Sequence, residues 1–158
     1  MLASLALVAA VAAPAKPSNA FLNDFGGTWR CSAKGEPASL WRIARVSGSR
    51  WVRVDWGFRA DGRPSGSAFV GYIPARGIWF YRDFHGGGSY ANLHGTRAKD
   101  GTWTWSGPFY PYSAPLGSAP LAGRITWKRN DARHILRTFA SLEHGKLVPH
   151  GGDICTAQ

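Results

Sequence analysis

Residues that build long helices are scarce in this chain. Glutamate occurs twice, methionine once and lysine five times in 158 residues, which argues against a helical bundle. No apolar run reaches the roughly 20 residues that a membrane-spanning helix needs; the longest, Leu2 to Ala13, has about twelve. No block of five or more like charges marks a solvated tail. His-Glu-x-x-His, His-x-His and Gly-x-Ser-x-Gly are all missing, so zinc-hydrolase, paired-histidine and serine-hydrolase chemistry find no anchor. With two glutamates and seven aspartates, mostly in turns, a paired-carboxylate hydrolase is also poorly supported. Gly86-Gly87-Gly88 lacks the following helix and Lys-Ser/Thr pair of a phosphate loop. A catalytic role is therefore the weaker reading.

What the chain has in quantity is aromatic residues and glycine: eight tryptophans, eight phenylalanines, five tyrosines and 20 glycines. From Ser67 to Phe109 four aromatic and β-branched runs are parted by Ala75-Arg76-Gly77, Gly86-Gly87-Gly88 and Lys99-Asp100-Gly101, the pattern of an antiparallel meander. Arg50 to Arg59 alternates strictly, with Val52, Val54, Trp56 and Phe58 on one face and Trp51, Arg53 and Asp55 on the other. Strands are expected at Thr28 to Cys31 and Leu40 to Val46 before it, and at Leu121 to Lys128, His134 to Ala140 and Leu147 to Cys155 near the end. Pro108 to Pro120, with its four prolines, reads as a loop. About ten strands, each close to its predecessor, form an all-β, up-and-down antiparallel meander. Closure into a barrel removes its two long edges.

The N-terminal apolar run ends in Ala13-Pro14-Ala15, the small-x-small pattern of a signal-peptidase site, with Ser18-Asn19-Ala20 as a second candidate. Residues 1–15 are expected to be a signal peptide, 16–26 a linker and short plug, and 27–158 the barrel domain. No Lys or Arg precedes the run, which leaves room for a start further upstream. A buried N-terminal helix is the alternative. Export makes the protein periplasmic or secreted, where an even number of cysteines suggests a disulfide. Cys31 and Cys155 lie in the first and last strands, which a closed meander makes neighbours. Their bridge would close a loop of more than a hundred residues, worth roughly 4–5 kcal/mol in the chain-entropy model. Two buried thiols or half of a metal site are the alternatives.

Gly27-Thr28-Trp29 at the first strand resembles the Gly-x-Trp start of calycin-like small barrels, which include lipocalins and nitrobindin-like proteins. The further pieces Gly71-Tyr72-Ile73-Pro74, Ser89-Tyr90-Ala91 and Asp100-Gly101-Thr102-Trp103-Thr104-Trp105 are most similar to an exported bacterial family of that kind without assigned function. The resemblance implies a small barrel with the tryptophan plugging one end. Two departures limit what carries over: the flanking pattern of the nitrobindin haem histidine is not matched at His134 or His144, and the second and third lipocalin motifs are missing, so the resemblance leaves the ligand open and no cofactor is expected.

Function then rests on which residues face inward. A three-residue hairpin loop at Gly86-Gly87-Gly88 would set Phe84 opposite Tyr90, Arg82 opposite Asn92 and Phe80 opposite His94. A two- or four-residue turn near Asp100 would continue that face into Trp103 and Trp105. The expected interior is thus the ligand-binding set Arg82, Tyr90, Asn92, His94, Trp103 and Trp105, with Asp83, His85, Thr102, Thr104 and Ser106 toward water. Either the polar members satisfy one another, or they orient a small, partly apolar ligand. A net charge of +10 adds an anionic glycan or envelope surface as a second kind of partner. Arginines interleaved with aromatics between Trp41 and Arg63 would suit single-stranded nucleic acid. The same tryptophans are needed to fill the barrel, and export removes that partner, so nucleic acid is not expected. No metal and no membrane span are expected either.

Overall fold

The computed structural model describes residues 19–58, 60–115 and 117–158; the expected signal peptide lies outside them. Ten strands follow one another around a closed antiparallel barrel: β1 (Gly27–Ala33), β2 (Ser39–Arg45), β3 (Val52–Trp56), β4 (Gly66–Ile73), β5 (Ile78–His85), β6 (Tyr90–Arg97), β7 (Trp103–Tyr110), β8 (Leu121–Arg129), β9 (His134–Glu143) and β10 (Lys146–Ala157). Every strand pairs with its sequence neighbour, and β1 pairs with β10 to complete the ring. The architecture agrees with the calycin-like resemblance at the level of the fold. Among the described residues no helix is long and apolar enough to cross a membrane.

Alternation builds the core. Val52, Val54 and Trp56 of β3 are buried while Arg53 is exposed, as a sheet with one inner face requires. Phe58 lies beyond the strand, beneath the Arg42 guanidinium. Cys31 and Cys155 are directly opposite across the β1–β10 seam, with their sulfur atoms joined at 2.09 Å. The turn between β9 and β10 is His144-Gly145, with φ of 49° and 78°. Two consecutive positive φ values suit the right-handed twist of a two-residue hairpin.

Proline did not end β7. The strand runs on through Pro108 to Tyr110, where a loop was expected from Pro108 onward. Pro108 is paired with Ala122 of β8, whereas the β6–β7 ladder passes from His94–Ser106 to Ala91–Phe109 without pairs at Asn92 and Leu93. The residue without an N–H thus stands beside a gap in the ladder.

One end of the barrel is stoppered by a short helix, α1 (Ala20–Phe25), which lacks a side-chain cap and is too short to persist alone. Tertiary contacts hold it. Phe21 lies edge-on against Trp103, Trp105 and Trp127 at centroid distances of 5.5, 5.7 and 5.6 Å. Asp24 accepts hydrogen bonds from Arg97 and from Trp103 Nε1, and its carbonyl accepts one from Arg129. Trp29 of the Gly-x-Trp start is buried and donates its Nε1 to the Phe25 carbonyl at 2.8 Å.

Candidate ligand-binding cavity

The opposite end holds a cavity of about 320 Å³. Ala91 and Leu93 of β6, Phe109 of β7, Gly123 and Ile125 of β8 and Phe139 of β9 form its largely apolar wall. Gly123 of β8 and Ala33 of β1 stand at the open end of strands that carry Trp127 and Trp29 at the stoppered end, and Ala91 and Gly152 add further small residues to the lining. Phe109 and Phe139 meet at 5.4 Å between ring centroids.

Arg82, Asn92 and His94 lie on the outer face and not on the expected inner one. The strand pairing at Gly86–Gly88 is Phe84–Tyr90, Arg82–Asn92 and Phe80–His94, following a three-residue loop closed by His85 N–H to Ser89 O. The next turn also has three loop residues, Lys99-Asp100-Gly101, closed by Ala98 N–H to Thr102 O at 2.8 Å. Gly101 adopts φ of 82°, and the Asp100 carboxylate accepts from Thr102 N–H. An odd loop pairs His94 with Ser106 and Gly95 with Trp105. The tryptophan face therefore joins Tyr81, Asp83, Ala91 and Leu93, one residue out of step with a two- or four-residue turn. Trp103 and Trp105 are fully buried at the stoppered end, Arg82 and His94 are exposed on the outer surface, and Tyr90 and Asn92 are half-buried beside them. Trp103 and Trp105 thus lie apart from the other four.

The same register turns Asp83 and His85, expected toward water, to the cavity. Asp83 is 2% exposed on the inner face of β5. Arg137 of β9 is paired with Asp153 of β10, and its Nη1 donates to Asp153 Oδ2 at 2.9 Å. Its guanidinium also lies 5.4 Å from the ring of Trp41 and 5.9 Å from that of Trp127, so it separates the tryptophan layer from the cavity. Burial works against this cation, but the carboxylates of Asp153 and Asp83 hold it above the ordinary guanidinium value. Burial, reinforced by Asp83, pushes the Tyr81 phenol far above its usual range, so it stays a neutral hydroxyl. The Asp100-Gly101 pair was the legible signal for the correct register, since glycine at positive φ closes three-residue hairpin loops.

Two histidines stand at the mouth. His85 Nε2 is 3.2 Å from Asp83 Oδ1. His150 reaches the cavity through a bulge: Gly152 pairs with Thr138 and Pro149 with Ala140, so His150 and Gly151 together face Phe139. An extra residue re-aims the strand, and the His150 ring lies 5.5 Å from that of Phe139. Ser141 donates its one proton to Glu143 at 2.6 Å, so His150 Nε2 carries the hydrogen directed at Ser141 Oγ, 2.5 Å away. The Ser141 hydrogen bond, with His150 beside it, holds the Glu143 carboxyl below its ordinary value. Among the described residues no three His, Cys, Asp or Glu side chains are grouped as a metal site requires.

No protein-family model matches the chain, and no curated protein is significantly similar to it in sequence.

Proposed function

We propose that this protein is an exported, single-domain barrel of calycin-like type that holds a small, partly apolar ligand in its open end, as a binding or envelope accessory protein. The observation that carries this reading is the cavity of about 320 Å³, walled by Leu93, Ile125, Phe109 and Phe139 and floored by Asp83, Arg137 and Asp153. Apolar walls with a few convergent polar groups are the general form of a ligand pocket, and this volume lies at the small end of the usual range. Export is supported by the Leu2–Ala13 run with Ala13-Pro14-Ala15, together with the Cys31–Cys155 bridge. Mass spectrometry of the natively purified protein tests the reading. A co-purifying small molecule that is lost in Phe139→Arg, which fills the cavity, is the expected result. Retention of the same molecule by that variant would place binding elsewhere.

A second reading has its own observation. Arg82, Tyr90, Asn92 and His94 share the outer face of β5 and β6 with Phe84, and a ladder of rings crosses that face. Phe84 and Tyr90 are 5.3 Å apart and Tyr90 and Tyr110 5.8 Å apart, with Phe84 and Tyr110 both exposed. Exposed aromatics beside an arginine form a stacking and charge-pairing surface suited to an anionic envelope polymer. Binding of such a polymer that weakens with salt and falls in Arg82→Ala would support it.

A further inference from the structure

The open-end cavity has a charge imbalance that bears on what it binds. Asp83, Asp153 and Arg137 line it together, two carboxylates to one guanidinium. Arg137 is engaged by its cross-strand neighbour Asp153 at 2.9 Å. Asp83 is left over. Its Oδ1 is buried and accepts no hydrogen bond from any described residue. His85 Nε2 approaches that oxygen at 3.2 Å without hydrogen-bond alignment, and it supplies a charge only when protonated. A buried carboxylate is costly unless it is both paired and hydrogen-bonded. Two more buried polar atoms, the Tyr81 hydroxyl and Arg137 Nε, also lack hydrogen-bond partners among the described residues. They lie in the same electrostatic cluster as Asp83.

Three head groups can be weighed against this arrangement. An anion would meet Asp83 and Asp153 with the one guanidinium already engaged. A neutral hydroxyl could hydrogen-bond but would add no charge opposite Asp83. A protonated nitrogen supplies both the charge and the donors that Asp83 Oδ1 lacks. Resting on the cavity reading above, we propose that the ligand is a nitrogen cation, an ammonium or amidinium, carried on an apolar body. Asp83 takes the head group, and Phe109, Phe139, Leu93 and Ile125 enclose the body.

The test is calorimetric titration of the purified, oxidised full chain with three probes of one shape: 2-phenylethylamine, 2-phenylethanol and 3-phenylpropanoate. The amine should bind about tenfold or more tightly than either isostere, because only it pairs the buried carboxylate. Asp83→Asn should remove that advantage. The wild-type comparison decides the matter even if the variant folds poorly. If the alcohol or the acid binds as tightly as the amine, the cation proposal is overturned and the cavity reading stands. An amine preference that persists in folded Asp83→Asn also overturns it. If none of the three binds, both readings fall.

Discussion

The two ends of the barrel are built from the same strands and differ in what each strand carries as it crosses the interior. At the stoppered end the inward positions are Trp79 and Tyr81 on β5, Trp103 and Trp105 on β7 and Trp127 on β8. Toward the open end the same strands offer Asp83 and His85, Gly107 and Phe109, and Ile125 and Gly123. Large rings fill one end to close packing, with Trp103 and Trp105 stacked at 5.3 Å and capped by Phe21. Small residues and charges leave the other end hollow. Stability should therefore reside at the stoppered end and binding at the open one. A site that keeps buried polar atoms unsatisfied is held in shape by a part of the molecule that does not bind.

The largest expected effect breaks both ends together. Cys155→Ser removes the bridge across a separation of 124 residues, and chemical denaturation should report a loss of about 4–5 kcal/mol on the chain-entropy estimate. Next comes Trp105→Ala. Its Nε1 has no hydrogen-bond partner among the described residues, so the loss is one of packing alone. About 3–5 kcal/mol is expected for removing a fully buried ring. The same unfolding curves, read with and without a bound probe, would show whether the open end is damaged too. Gly95→Ala is a finer probe of the same end. A methyl there meets the Trp105 ring, which Phe21, Trp103 and Tyr81 hold in place, and overpacking should cost about 1–3 kcal/mol in the same assay.

At the open end Asp83→Asn should behave in the opposite way. It removes an incompletely paired buried charge, so thermal unfolding should show stability unchanged or slightly raised, whereas the same change in a structural ion pair would destabilise strongly. The smallest effect is electrostatic. Ser141→Ala deletes the main hydrogen bond that depresses the Glu143 carboxyl, so its midpoint should move up toward the ordinary carboxylate range in a carbon-detected NMR titration. In the wild type the depressed value means that this contribution is present above the ordinary carboxylate range and is lost as pH falls through the native midpoint. Glu143 is too exposed for that contribution to be large.

Much of the architecture was legible. Alternation over Val52–Trp56, the glycine-bearing turns and the placement of Cys31 and Cys155 are local signals, and each points to the same closed meander. Strand ends were less legible, as Pro108 shows, because a proline's tolerance depends on which neighbour lacks a partner at that height. The candidate site was hidden by a single parity. Phe84–Tyr90 and Arg82–Asn92 pairing followed from one turn, but the inner face depended on the loop length at Lys99-Asp100-Gly101. A one-residue difference there exchanges every inward residue for an outward one.

Residue order by itself determined that this chain is a β-meander, where its turns lie and which two cysteines meet, because these follow from periodicity and chain closure. Only the tertiary structure decided that Asp83, Arg137, Asp153 and His150 share a cavity. They come from three strands, one of them bulged, and their meeting depends on cross-strand registers summed around the ring, which no local pattern records.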